Sequence, residues 1–386
     1  MLPWLAVALF IACGYASVLP PRPVSATAPD HRFSAERAIA HVGVIARRPH
    51  PMGSAAIAEV RGYLMAELER MGIGVRRYTV THGNYYGRNE PVRVVNIIGR
   101  IPGTANTRAV AFLAHYDTVP TTPGANDNSA AVAALLETGR ALRAGPSLRN
   151  DVYLIFTDGE EPAPRFGSNA LVSDRRMLER IGLVVNFEAS GGGGPSLLAE
   201  TSGPERWLVD ELAAADPLPA AFSVLTGTTR LLGNLGTDFD AFRNAGVSGF
   251  HFAYLRGSPI YHTEADNLGA VTRSSLQHHG EHALGISRHF GNLDLTEARP
   301  SEAAVYFTVG PLLIRYPAGW AIPLAVIALV IGAIGQWRRR GTRETTAATI
   351  AIRLLRTVAA GLLGVVAGTL IWLFIATTRS TPGAIE

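Results

Sequence analysis

Ala109-Val110-Ala111-Phe112-Leu113-Ala114-His115-Tyr116-Asp117 is a run of six apolar residues that ends on an imidazole and, two positions later, a carboxylate. A short unbroken apolar run marks a strand covered on both faces, as in a parallel sheet. Two more such runs occur at residues 152–156 and 183–187, and each also ends in acidic side chains. Asp158-Gly159-Glu160-Glu161 comes after the first and Glu188 after the second. Around them lie stretches with apolar residues at three- and four-residue steps, which predict helices over 34–47, 54–71, 128–143, 205–215 and 274–289. Further strands are expected at 75–80, 92–101, 221–225 and 249–253. This alternation predicts an α/β fold: a mixed, mostly parallel central sheet with helices on both faces. In such a sheet functional groups collect just beyond the carboxyl ends of the strands.

Local signals support the helices. Ser34 and Ser54 stand where N-caps belong, Pro49-His50-Pro51 ends the first stretch, and Gly72 closes the second. His278, His279, His282 and His289 share helical spacing and read as packing or surface residues. Arg230 and Arg256 read as ordinary surface arginines rather than as binders of a terminal carboxylate.

Composition narrows the class. The formal charge is +4 and the chain contains no lysine, so every strong cation is arginine. Several arginines crowd beside a hydrophobic C-terminal run, and no basic-aromatic stripe crosses the middle, so the charge reads as membrane topology and no nucleic-acid partner is expected. Cys13 is the only cysteine, which excludes an intramolecular disulfide and a cysteine metal site.

Residues 2–19 are uncharged and predict an anchor or a signal segment, detached from the remainder of the chain by Pro20-Pro21-Arg22-Pro23. Residues 318–337 are also uncharged, and at 1.5 Å per residue a helix there would cover roughly 30 Å, the thickness of a bilayer's hydrocarbon core. Residues 357–378 form a similar run, with Gly361, Gly364 and Gly368 as packing positions. Arg338, Arg339, Arg340, Arg343, Arg353 and Arg356 lie between the two runs and mark the cytoplasmic side. The expected layout is an anchor or signal at 1–20, a linker at 21–33, a catalytic domain at 34–295 and a second linker at 296–316. Two transmembrane helices with an arginine-rich loop at 317–378 and a tail at 379–386 complete it. The domain would then face the extracytoplasmic side, with the lipid bilayer as a partner; the sequence leaves the oligomeric state open.

The chemistry-bearing residues are His115, Asp127 in Gly124-Ala125-Asn126-Asp127-Asn128, the Glu160-Glu161 doublet, Glu188, and His262 in Tyr261-His262-Thr263. Paired zinc ions require imidazoles, hard oxygen ligands, one bridging carboxylate and open positions. The expected assignment gives one ion His115, Asp127 and Glu188, and the other Asp127, Glu161 and His262. Three ligand carboxylates leave one net positive charge to acidify a bridging water and polarise a carbonyl. Glu160 is then the expected proton carrier and Tyr261 the expected donor to an oxyanion. Asp117 lies on the side of the extended chain that can orient the His115 ring. Other divalent metals are compatible with the same ligands.

This array resembles the M28 family of zinc peptidases over about residues 34–290. The resemblance rests on Ala114-His115-Tyr116-Asp117, Gly124-Ala125-Asn126-Asp127-Asn128-Ser129, Asp158-Gly159-Glu160-Glu161, Gly167-Ser168-Asn169-Ala170, Asn186-Phe187-Glu188-Ala189 and Tyr261-His262-Thr263-Glu264-Ala265-Asp266. Arg48-Pro49-His50-Pro51-Met52-Gly53-Ser54 and Gly236-Thr237-Asp238-Phe239 are similar to the membrane-anchored branch of endoplasmic-reticulum metallopeptidases and vacuolar relatives. The resemblance implies a zinc-peptidase/phosphorylase-like sheet, two zinc ions and removal of residues from peptide N-termini. Departures are Glu188 where many soluble members carry Asp, Ala130 where Gly is frequent, and only two C-terminal spans. The alternatives are a carboxypeptidase or dipeptidase of M20/M28 type, a single-zinc glutaminyl-cyclase-like enzyme, and a non-catalytic binding module. The spacing of 74 positions between Glu188 and His262 leaves little room for the lid domain of M20.

Overall fold

The computed structural model describes residues 18–82, 91–161, 165–203, 206–216, 218–231, 233, 235–296 and 302–338, with 12, 14–16 and 352 besides. The chain divides after Ala318 into two units.

In the first unit, α1 (Ala35–Ile45) and α2 (Ala55–Arg70) start where expected. The hydroxyls of Ser34 and Ser54 accept the N–H groups of Arg37 and Ile57, satisfying donors that have no partner inside the helix. Strands β1 (Gly74–His82) and β2 (Val92–Ile101) pair antiparallel. Then come β3 (Ala109–His115), α3 (Ala131–Arg143), β4 (Val152–Thr157), α4 (Phe166–Ser173), α5 (Arg175–Leu178) and β5 (Ile181–Ala189). The chain continues through β6 (Leu197–Thr201), α6 (Arg206–Ala215), α7 (Ser223–Leu231), α8 (Asp238–Asn244), β7 (Gly249–Tyr254) and α9 (Arg273–Phe290).

Seven strands form one sheet in the order β1-β2-β4-β3-β5-β7-β6. The four inner strands β4, β3, β5 and β7 are parallel, and the outer pairs are antiparallel. Every residue of β3 is buried, as its apolar run requires of a strand with a neighbour on each side and packing on both faces. One core joins Phe112, Leu154, Val185 and Phe252 to α1, α3 and α9; another joins Ala111, Leu113, Ile155 and Val184 to α4 and α8. The side chains alternate between these two cores along each strand, so helices cover both faces.

Four expectations change. Residues 221–225 are not a strand: Ala221 and Phe222 make isolated bridges and α7 begins at Ser223. The helix expected from residue 128 begins at Ala131, because Ala125–Ala130 form an irregular turn with extended backbone at Asp127 and a cis Asp127–Asn128 peptide. Strand β6 and helices α4, α5 and α8 are further elements, short segments whose periodicity is weak. Within the stretch expected to be a linker, β8 (Ala304–Val309) and β9 (Leu312–Pro317) form an antiparallel hairpin. Thr308 bonds to Pro219 and Ala221 there, and Tyr306 to Thr226, so the hairpin packs on the domain.

In the second unit α10 (Ala321–Arg338) falls on the first expected C-terminal span and exposes Ile322, Val326, Leu329 and Ile331. Among the described residues, no helix is long and apolar enough to cross a membrane. The run at 357–378 and most of 2–19 lie outside the described residues.

Candidate active site

The inner strands deliver their last residues to one edge of the sheet. His115 is the final residue of β3, Glu160 and Glu161 follow β4, Glu188 is the next-to-last residue of β5, and His262 lies in the loop after β7. Because β4 and β5 lie on opposite sides of β3, the edge has a crevice where chain direction diverges. The irregular turn before α3 brings Asp127 into it.

Asp127 stands between the two histidines. Its Oδ1 is 3.2 Å from Nε2 of His115, and its Oδ2 is 3.2 Å from Nε2 of His262. His115 Nε2 is also 3.2 Å from Glu188 Oε2, and His262 Nε2 is 3.1 Å from Glu161 Oε2. The ligating atoms of His115, Asp127 and Glu161 lie within 4.8 Å of one another. Each histidine Nε2 thus meets two carboxylates, giving two trios that share Asp127, and the compact group of His115, Asp127 and Glu161 draws on both. His262 Nε2, Asp127 Oδ2 and Glu161 Oε1 are buried without a hydrogen-bond partner among the described residues. Buried polar atoms without partners are costly. Imidazole and carboxylate lone pairs turned toward a common space fit divalent cations such as zinc.

The surroundings fix these groups. Nδ1 of His115 faces the main-chain carbonyl of Asp117 at 3.0 Å; a carbonyl only accepts, so Nδ1 donates and Nε2 is the nitrogen turned toward Asp127 and Glu188. The Asp117 carboxylate stands farther from the ring, at 3.6 Å, and accepts the main-chain N–H groups of Glu160 and Glu161 at 3.1 and 3.2 Å. The carbonyl thus does the orienting expected of the carboxylate, which instead anchors the glutamate doublet.

Asp266 acts similarly on the other side, accepting N–H groups from Asn126 at 2.8 Å and Asp127 at 3.0 Å, and the Asn126 amide at 2.8 Å. Asn128 donates to the Phe187 carbonyl, while His279 approaches the Glu188 carbonyl at 3.2 Å. His262 itself holds φ of +58°, an uncommon conformation for a residue with a side chain.

Charge crowding sets the protonation. Burial pushes Glu160 well above the usual carboxylate range, partly offset by His115 and reinforced by Glu188 and Asp238. Burial likewise raises Glu161 and Glu188, each to about 7, with Asp127 adding to both. For Asp127, burial works against the charged form, but the imidazoles of His115 and His262 on either side outweigh it and hold the group low. Such a surplus of carboxylates is relieved either by protons or by cations. The Tyr261 ring stacks on His262 with centroids 3.7 Å apart, and burial, then Asp127 and Glu161, raise its phenol so that it stays a donor.

Two residues escaped the sequence reading. Asp266 was visible only as part of a motif, because its role depends on a turn 140 positions away. Arg165, whose Nε lies 3.3 Å from Glu160 Oε1, had no signal in spacing at all. Arg230 and Arg256 are exposed; Arg230 reaches Thr201, and the Arg256 backbone pairs with Gly193.

An α/β sheet that gathers imidazoles and carboxylates along one edge defines a candidate metal centre. Residues 96–287 match the model of peptidase family M28. Endoplasmic reticulum metallopeptidase 1 of Mus musculus is 29% identical over 63% of this chain and 28% of its own length. A vacuolar membrane protease of Candida albicans (strain SC5314) is 30% identical over 68% of this chain and 30% of its own length. The chain therefore spans less than a third of these relatives. Among solved structures, Porphyromonas gingivalis glutaminyl cyclase aligns with a TM-score of 0.55 at 20% identity, covering 65% of this chain and 96% of that one. An aminopeptidase from Aneurinibacillus sp. strain AM-1 gives a TM-score of 0.54 at 13% identity, covering 68% and 95%. These two likenesses establish the shared fold. Residues 96–287 are thus a peptidase family M28 domain, related to the endoplasmic-reticulum and vacuolar proteases.

Proposed function

We propose that the chain is a membrane-anchored aminopeptidase that holds two zinc ions and hydrolyses the first peptide bond of its substrates. The sharing of Asp127 between two trios is the observation that carries this reading. His115, Asp127 and Glu188 would hold one ion, and Asp127, Glu161 and His262 the other. When bound, the metal pair supplies Lewis acidity toward the scissile carbonyl and acidifies the attacking water.

The protein's own groups do the rest. Glu160 takes the proton of the attacking water and returns it to the leaving amine, restoring its starting form. Asp117 fixes the doublet through two main-chain N–H groups, so Glu160 and Glu161 hold different directions from one rigid turn. Tyr261, kept protonated, donates its O–H toward the oxyanion. Membrane attachment is supported by the exposed apolar residues of α10 and the arginines beyond it.

The test is turnover of aminoacyl reporters, N-blocked peptides and an N-terminal glutaminyl peptide, with and without chelator, alongside metal analysis. The reading expects about two zinc ions per chain, chelator-sensitive release of free amino acids, and no attack on blocked peptides. Glu160→Gln keeps its metal and loses turnover by roughly 10²–10⁴-fold. One zinc with ammonia release would indicate a cyclase, and cleavage of blocked peptides a carboxypeptidase; either outcome removes the aminopeptidase assignment.

A further inference from the structure

Arg165 brings a guanidinium into a crevice otherwise dominated by carboxylates. Its Nε lies 3.3 Å from Oε1 of Glu160, and its side chain is about a quarter exposed, at 27%. It precedes α4 with φ of +58° and ψ of +71°, a left-handed conformation uncommon for a residue with a side chain. Such backbone conformations concentrate at ligand clamps and active sites. The guanidinium lies against Gly236, where an added methyl group would stand 2.6 Å from Arg165 Nη2.

The position has a chemical meaning that rests on the aminopeptidase reading. Glu160 returns its proton to the leaving nitrogen, so a cation bonded to Glu160 lies on the leaving-group side of the scissile bond. In a dipeptide the terminal carboxylate carbon is two bonds from that nitrogen, roughly 2.5 Å away. In a longer peptide a neutral amide occupies the same place. Asp117 and Glu160, the two carboxylates that hold no metal in that reading, would repel an added carboxylate there. An arginine fork reverses that sign and matches carboxylate geometry.

We propose that Arg165 binds the free carboxylate of the residue leaving Glu160, which makes short peptides, dipeptides above all, the preferred substrates. Nε stays on Glu160 while the terminal nitrogens engage the substrate, so one side chain steadies the proton carrier and selects chain length.

The experiment uses the full chain in detergent, loaded with zinc, and compares kcat/KM for alanyl-alanine with that for alanyl-alanine amide. The wild-type protein is expected to favour the free dipeptide by roughly ten- to a hundredfold, the weight of a charge-assisted hydrogen bond. Arg165→Met should bring the ratio close to one, and Arg165→Lys should retain part of it. Because the ratio is taken within each variant, neither a smaller active fraction nor a weakened Glu160 alters it. Equal rates in the wild type, or a preference that survives Arg165→Met, would overturn the proposal while leaving the peptidase intact. Failure to cleave either compound while aminoacyl reporters are turned over would overturn it too. Absence of all turnover would bring down the peptidase reading, and this inference with it.

Discussion

Asp266 shows how a residue outside both trios can shape a site. It accepts two main-chain N–H groups and one side-chain amide from Asn126 and Asp127, which sets the angle at which the shared carboxylate meets both histidines. Asp266→Ala leaves these donors buried without partners. Loss of such an outer partner lowers metal affinity by roughly 10–100-fold, to be read by chelator competition; unchanged affinity would deny Asp266 this role. His115, Glu161 and Glu188 were legible because they lie at or just after strand ends, where periodicity breaks and polar groups begin, whereas Asp127 and His262 lie in loops and were legible only through their motifs. Asp117 was legible as a residue but not as a geometry, since spacing cannot tell a carbonyl at 3.0 Å from a carboxylate at 3.6 Å. Arg165 was illegible because its meaning depends on where the chain folds around Glu160.

At the scale of elements, α9 carries the histidines that read as packing residues. His278, His279 and His282 are buried, and all three converge on Ser196. His282 pairs with Asp216, and its Nε2 meets the Ser196 carbonyl at 2.9 Å. Burial opposes charge on His282, but Asp216 outweighs it and raises the imidazole above its ordinary value. Burial also opposes charge on Asp216, and there His282 prevails and lowers the carboxyl.

The raised histidine stabilises fully below about 6.5, its unfolded value, and loses this as pH rises through its folded value. The lowered aspartate stabilises above about 3.9 and loses this as pH falls through its folded value. The pair thus contributes most between about pH 4 and 6.5. Asp216→Asn should cost about 3–5 kcal/mol there, the toll of breaking a buried pair, and less at pH 9. Denaturant midpoints at pH 6 and pH 9 check this; equal losses would refute it. Sequence patterning located these elements well where burial was one-sided or complete, as in α1, α2 and β3. It failed at residues 221–225, where an apolar stretch bridges two strands for two residues and then coils into α7.

The whole molecule combines a carboxyl-edge site with an apolar C-terminal stretch and arginines in place of lysines. The sheet draws its site from four different strands, so no single segment contains the chemistry; only the order of motifs along the chain revealed it. The hairpin at Ala304–Pro317 was hidden for a different reason, since its alternation is short and comes directly after residues without pattern. For the membrane arrangement, a reporter enzyme fused after Arg343 is expected to behave as cytoplasmic, and one fused after Thr296 as exported. The reverse pattern would invert the proposed topology.

The excursion between β7 and α9 carries both His262 and Asp266, four positions apart. One of them supplies the imidazole of the second trio; the other buckles the turn that presents the carboxylate common to both. Whatever loosens this segment therefore unfastens both halves of the centre together. In the proposed two-ion centre, seating a cation on either side would tighten the same clasp, so uptake of one ion should make uptake of the next easier.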